Sequence, residues 1–225
     1  MSVHELLAGL ERAAEAGEHR VWAVRCAHAL GLGGIAVSLR AGAELVWFSD
    51  DVSARLEDAQ FTLGEGPAAA AAADFGEVPY QVPDLGGGAG AQWPQLAAEA
   101  QALGVWAMFV WPVRSGEVRL GTLTGYRRTR GPLTAGQAAD GLRVADALAG
   151  RLLAWRPGVV DSSDGPGEAG TVDLHWAAVH QATGVLSCRL GVPLDEALVR
   201  LRAQAFACGR PLTEAAREIL RELPS

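Results

Sequence analysis

The chain has 225 residues, of which 49% are hydrophobic, 20% charged and 6% aromatic. That apolar content supplies one or two packed domains and excludes a disordered chain, and no uninterrupted apolar run reaches membrane-spanning length. All 19 basic residues are Arg and the net charge is -7, which excludes a general electrostatic binder of nucleic acid.

Val3 to Ala16 is the first predicted helix, with Leu6, Leu7, Leu10, Ala13 and Ala14 on one face. The opening residues, with His4 and Glu5, lack the basic-then-apolar order of a secretory signal, so a cytoplasmic location is expected. A second helix spans Glu18 to Leu30, with Val21, Val24, Cys26, Ala27 and Leu30 as apolar positions, and Gly31, Gly33 and Gly34 break it. Ile35 to Leu39 and Glu44 to Phe48 read as a hairpin around Ala41 and Gly42. Val78 to Val82 is a short strand that Pro79 confines to an edge. Trp93 to Leu103 is helical. Val105 to Arg114 and Val118 to Arg127 form a second hairpin around Ser115 and Gly116, and Thr134 caps a helix running to about Trp155. Strands among helices, without regular alternation, predict an α+β fold with an antiparallel sheet.

Two glycine-rich stretches are weak phosphate-loop candidates. Gly64-Glu65-Gly66-Pro67 lacks the Lys-Ser/Thr ending and carries an acid, so it reads as a structural turn. Gly86-Gly87-Gly88-Ala89-Gly90 has no strand-to-helix unit with a downstream acid around it and reads as a flexible loop. Among the large apolar residues, strand alternation puts Trp106 and Met108 on one face and Phe109 and Trp111 on the other. Most are core; Trp47, Phe61, Trp106 and Met108 are the candidate ligand-pocket residues. His28 is a lone helical histidine, read as no haem ligand. Cys26, Cys188 and Cys208 have no metal spacing and read as free thiols, so neither metal nor cofactor is expected.

The run Leu63 to Ala70, followed by Val78, Val82-Pro83-Asp84-Leu85, Trp93-Pro94 and Gly121-Thr122-Leu123-Thr124-Gly125-Tyr126, resembles a GAF domain of the kind joined to ANTAR domains in actinobacterial regulators. The resemblance covers about Leu6 to Trp155. It implies a sensor of a ligand or partner, built as an antiparallel sheet flanked by helices. Residues 1–156 are assigned to this unit. Residues 157–172 combine Gly, Pro, Ser and Asp and read as a flexible linker.

Residues 173–225 carry three short amphipathic patterns separated by breaks containing Gly and Pro. The stripes are Trp176, Val179, Ala182, Leu186 and Leu190; then Leu194, Ala197, Leu198, Leu201 and Ala205; then Leu212, Ala215, Ala216, Ile219 and Leu220. Gly191 and Gly209 are expected stops, and Thr213 is a possible cap. Such helices pack as a small three-helix bundle. Val179-His180-Gln181-Ala182-Thr183-Gly184-Val185-Leu186, with Asp195-Glu196-Ala197, Leu201-Arg202 and Leu212-Thr213-Glu214-Ala215-Ala216, resembles an ANTAR domain. The resemblance implies an RNA-binding module of transcription antitermination regulators, working as a homodimer on hairpin loops in nascent transcripts. The chain departs from the family pattern at Thr183, where many members have Lys, and at Ser187, where many have Met.

Six arginines balance six acids in residues 173–225, so recognition there would rest on base contacts in unpaired RNA. Arg200 follows Glu196 by four residues, Arg217 follows Glu214 by three and Arg221 follows Glu218 by three, spacings that suit local ion pairs. Arg189 and Arg202 have no acid three or four residues away on either side, and Arg210 sits in a loop after Gly209; these three are the expected RNA contacts, with His180, Gln181 and Thr183 beside Gly184. Gly184 suits either a close-approaching partner or helix–helix packing.

Two functions stand at this point. One is a signal-responsive RNA-binding antitermination regulator that senses a small molecule or protein and is not attached to a membrane. The other is a protein–protein signalling regulator. An enzyme is not expected. GAF-like methionine sulfoxide reductases need several cysteines, and this half has only Cys26. The Asn, Lys, Phe, Asp and Glu pattern of cyclic-nucleotide GAF domains is not evident.

Overall fold

The computed structural model describes residues 5–10, 19–39, 44–73, 79–88, 90–154 and 176–222. The chain divides into two compact units, Met1–Val172 and Asp173–Ser225. The expected linker at 157–172, the end of the first predicted helix and the Ala41-Gly42 turn lie outside the described residues.

The first unit mixes helices with an antiparallel sheet. After α1 (5–10) and α2 (His19–Ala29) come β1 (Gly34–Leu39), β2 (Glu44–Phe48), α3 (Asp51–Leu63), α4 (Pro67–Ala73), β3 (Tyr80–Val82), α5 (Pro94–Ala102), β4 (Ala107–Ser115), β5 (Val118–Arg127) and α6 (Ala135–Ala154). The five strands lie in the order β2-β1-β5-β4-β3. Both expected hairpins are present, and β3 occupies an edge, where Pro79 does no harm to the ladder.

The register sorts side chains onto two faces. Val37 pairs with Leu123, and Leu123 with Trp111, so these three share a face. They pack with Leu6, Trp22, Cys26 and Leu148 from α1, α2 and α6. Met108 pairs with both Val82 and Tyr126, and this opposite face packs on Leu56 of α3 and Leu96 of α5. Of the expected apolar positions of the second predicted helix, Cys26, Ala27 and Leu30 are buried, whereas Val21 and Val24 are exposed and Trp22 and Ala23 turn inward in their place.

Local chemistry places the helix ends. Thr134 Oγ1 accepts from Gln137 N while Gln137 Oε1 accepts from Thr134 N, a reciprocal cap at the start of α6. Asp50 Oδ1 accepts from Ser53 N at 2.7 Å to start α3, and Gly64, at φ 69, ends it in the left-handed region. The stretch expected as a turn at Gly64 to Pro67 is thus the joint between α3 and α4. Gly141 lets α6 lie flat on Trp111, whose Nε1 donates to Ala138 O at 3.1 Å. The expected flexible loop at Gly86 is a tied turn: Asp84 Oδ1 accepts from Gly86 N and from Arg130 Nε.

The second unit is three mutually packed helices, α7 (Ala177–Leu190), α8 (Leu194–Ala207) and α9 (Leu212–Arg221). Its core holds Trp176, Val179, Ala182, Ala197, Leu201, Ala205, Leu212 and Ile219. Gly191 and Gly209 have φ of 63 and 60 and end α7 and α8 as expected. Leu190 and Leu194 are exposed rather than buried, and Pro211, not Thr213, precedes α9.

Candidate functional site

The four candidate ligand residues do not converge. Trp47 belongs to the core layer of α1, α2 and α6 and stacks on His19 with ring centroids 4.8 Å apart. Met108 is buried in the opposite layer. Phe61 is buried on α3. Trp106 precedes β4 and lies under the Arg130 guanidinium, 4.0 Å from the ring centroid. Alternation identified faces correctly but could not show that Trp47 and Met108 look into different layers.

The sheet face under α3 carries a polar cluster instead. Glu57 and Gln60 on α3 and Ser38 on β1 are buried. Ser38 Oγ donates to Glu57 Oε2 at 2.6 Å, and Gln60 Nε2 donates to Glu57 Oε1 at 2.9 Å. Gln60 Oε1 accepts from Ala68 N at the start of α4, which links the cluster to that helix. Thr122 pairs with Ser38 and Thr124 with Ala36 across β1 and β5, so both hydroxyls share the face that Glu57 covers. Thr122 Oγ1 and Thr124 Oγ1 are buried with no hydrogen-bond partner among the described residues. Thr124 still lies close enough to the Glu57 carboxyl to favour its charged form.

Burial pushes the Glu57 carboxyl above its ordinary pKa, and Asp58 adds to the rise, while Ser38, Thr124 and Gln60 pull against it. No cation pairs with Glu57 among the described residues. The cluster is rich in acceptors and holds no positive side chain, so it suits N–H donors and opposes anions. Next to it, Tyr126 OH donates to Asp50 Oδ2 at 3.2 Å and joins the start of α3 to β5. The sequence reading missed this cluster because it assigned no helix to 51–63. The signals were Asp50 and Gly64 as caps, and Ser38, Thr122 and Thr124 as polar residues inside buried strands.

In the second unit the structure divides the expected RNA contacts. His180 and Gln181 are exposed on α7. Thr183 is buried, and its hydroxyl donates to Val179 O at 2.7 Å, so it presents nothing to a partner. Gly184 is half-buried, and a Cβ built on it would meet nothing within 4 Å, which removes the helix-packing reading. An open groove of about 610 Å³ brings together Gln181, Gly184, Val185, Cys188, Arg189 and Leu220.

The ion pairs depart from local spacing at most of the arginines ranked by it. Arg189 pairs with Glu222 at 3.5 Å, and Arg210 with Glu218 at 2.9 Å, both distant in sequence. Arg202 is half-buried, and burial lowers its pKa. Arg200 pairs with Glu196 as expected. Arg217 and Arg221 are exposed, and neither has an ion pair among the described residues; Glu218, the expected partner of Arg221, pairs with Arg210, and the expected Arg217–Glu214 pair is not made. Arg221 Nε instead donates to Arg217 O.

No family model matches the sequence, and no curated protein matches it. Among solved structures, the chain is similar to the GAF domain of a phosphoenolpyruvate-protein phosphotransferase from Coxiella burnetii, at 15% identity and a TM-score of 0.48, covering 68% of this chain and 93% of that one. It is also similar to the chromophore-binding domain of an unusual bacteriophytochrome from R. palustris, at 12% identity and a TM-score of 0.43, covering 68% of this chain and 60% of that one. No described helix is long and apolar enough to cross a membrane.

Proposed function

We propose that the protein is a non-enzymatic, signal-responsive regulator whose first unit senses a small molecule or protein and whose second unit binds RNA hairpin loops to prevent termination of transcription. The GAF reading of the first unit is supported by its five-stranded antiparallel sheet with helices on both faces, the architecture that the motif resemblance implies. In this reading the buried Ser38–Glu57–Thr122 face is the polar part of the first unit that a signal could perturb, since its acceptors suit N–H groups.

The observation that carries the RNA reading is the three-helix unit itself. It is compact by its own contacts, carries the ANTAR-like motif on α7, and groups Gln181, Gly184 and Arg189 around one groove. The module acts as a homodimer in this reading. Crosslinking of the full chain to cellular RNA, followed by sequencing, tests it: enrichment of stem-loops is expected, and a flat distribution refutes it. One observation favours the protein–protein alternative. Leu194, Val199 and Phe206 on α8 are exposed, at 61%, 59% and 67%. Loss of regulation on replacing Phe206 with Ser, with RNA binding intact, would select that alternative.

A further inference from the structure

We propose that the groove between α7 and α9 receives one unpaired nucleobase of an RNA loop, with Gly184 as its floor. This rests on the RNA-binding reading and deepens it by naming the subsite and its occupant.

Gly184 lies in the middle of α7. Glycine in a helix interior is destabilising relative to Ala. The described residues give nothing in return, since no atom lies within 4 Å of where its Cβ would be. What the missing side chain creates is room in the groove, which Gln181, Val185, Cys188 and Leu220 border. A base is apolar on its faces and polar at its edges, and unpaired loop bases are available for insertion. Val185, Leu220 and the bare backbone at Gly184 meet a face. Gln181 supplies both a donor and an acceptor to an edge.

Arg189 lines the groove and is paired with Glu222, while on α9 Arg217 lies three residues before Leu220, a helical neighbour, and Arg221 follows Leu220 directly. Arg217 and Arg221 are exposed and have no ion pair among the described residues. A loop base brings phosphates on either side of it, so an apolar floor beside unbalanced arginines fits a nucleotide better than an apolar peptide side chain.

The chain contains its own reporters: Cys188 lines the groove, while Cys208 is exposed outside it and Cys26 is buried. The test uses the full chain with a labelled stem-loop library carrying a randomised loop, and the same stem closed by an abasic loop. The best base-bearing loops should bind about tenfold tighter than the abasic loop. They should slow N-ethylmaleimide labelling of Cys188 and leave Cys208 unchanged. Gly184→Leu should fill the groove and erase the preference for base-bearing loops over the abasic loop. It should melt no lower than wild type, and Gly184→Ala is the milder companion. Equal affinity for both loops, unprotected Cys188, or a preference that survives Gly184→Leu overturns the subsite while leaving RNA binding in place. No binding of any loop removes the RNA reading itself. Dissociation of a dimer by Gly184→Leu in sedimentation, with loop preference kept, reassigns the groove to a second copy of this chain.

Discussion

Ser38 Oγ lies 2.6 Å from Glu57 Oε2, a hydrogen bond between β1 and α3 in which both residues are buried. The folded state raises the Glu57 pKa, chiefly through burial. A carboxyl whose pKa is raised on folding binds more protons in the native state than in the unfolded one. Its favourable contribution is complete below the ordinary carboxyl value and is lost as pH rises through the raised one. Glu57→Gln keeps the shape and can still accept from Gln60 while Ser38 turns to accept. The variant should equal wild type in urea midpoint at acid pH and exceed it increasingly as pH rises. A parallel pair of stability–pH curves would show that Glu57 does not titrate between the two states.

The contact of α6 with the sheet depends on Gly141. A Cβ there would overlap the indole of Trp111, which is fully buried. Gly141→Ala should therefore destabilise the first unit by about 1–3 kcal/mol, the usual cost of overpacking, despite the better helix propensity of Ala. Thermal unfolding followed by Trp fluorescence reads this directly. A neutral or stabilising result would mean that α6 slides on the sheet at little cost.

Arg217→Ala and Arg221→Ala should each weaken RNA binding and lower the salt slope by about one. Arg200→Ala should change neither, since Glu196 neutralises that charge locally. Arg202→Ala should appear first as reduced stability, because the side chain is half-buried. Fluorescence titrations at several salt concentrations separate these outcomes, and an Arg200 variant that binds worst would reverse the assignment.

Cys26 is fully buried, and burial holds its thiol well above the ordinary range. It should resist alkylation in the folded protein while Cys188 and Cys208 react. Cys26→Ala should leave signalling intact and cost on the order of 1 kcal/mol of stability through the small void it opens. Redox-dependent signalling that disappears in that variant would mark Cys26 as a sensor.

The sequence by itself determined the elements that local chemistry controls. Thr134 announced α6, Pro79 announced an edge strand, and Gly191 and Gly209 ended α7 and α8 because their left-handed backbone suits glycine. It also placed Gln181, Gly184 and Arg189 within one module, where the groove collects them. Tertiary structure alone decided which charges balance. The i,i+3 rule assigned Glu218 to Arg221, yet Glu218 pairs with Arg210 across the bend between α8 and α9. Helical spacing makes two residues neighbours, but a third side chain from another element can reach the same carboxylate. Tertiary structure also decided the fate of Glu57. Acids are mostly exposed, and only the pairing of β1 with β5 beneath α3 supplies the hydroxyls that let this one be buried.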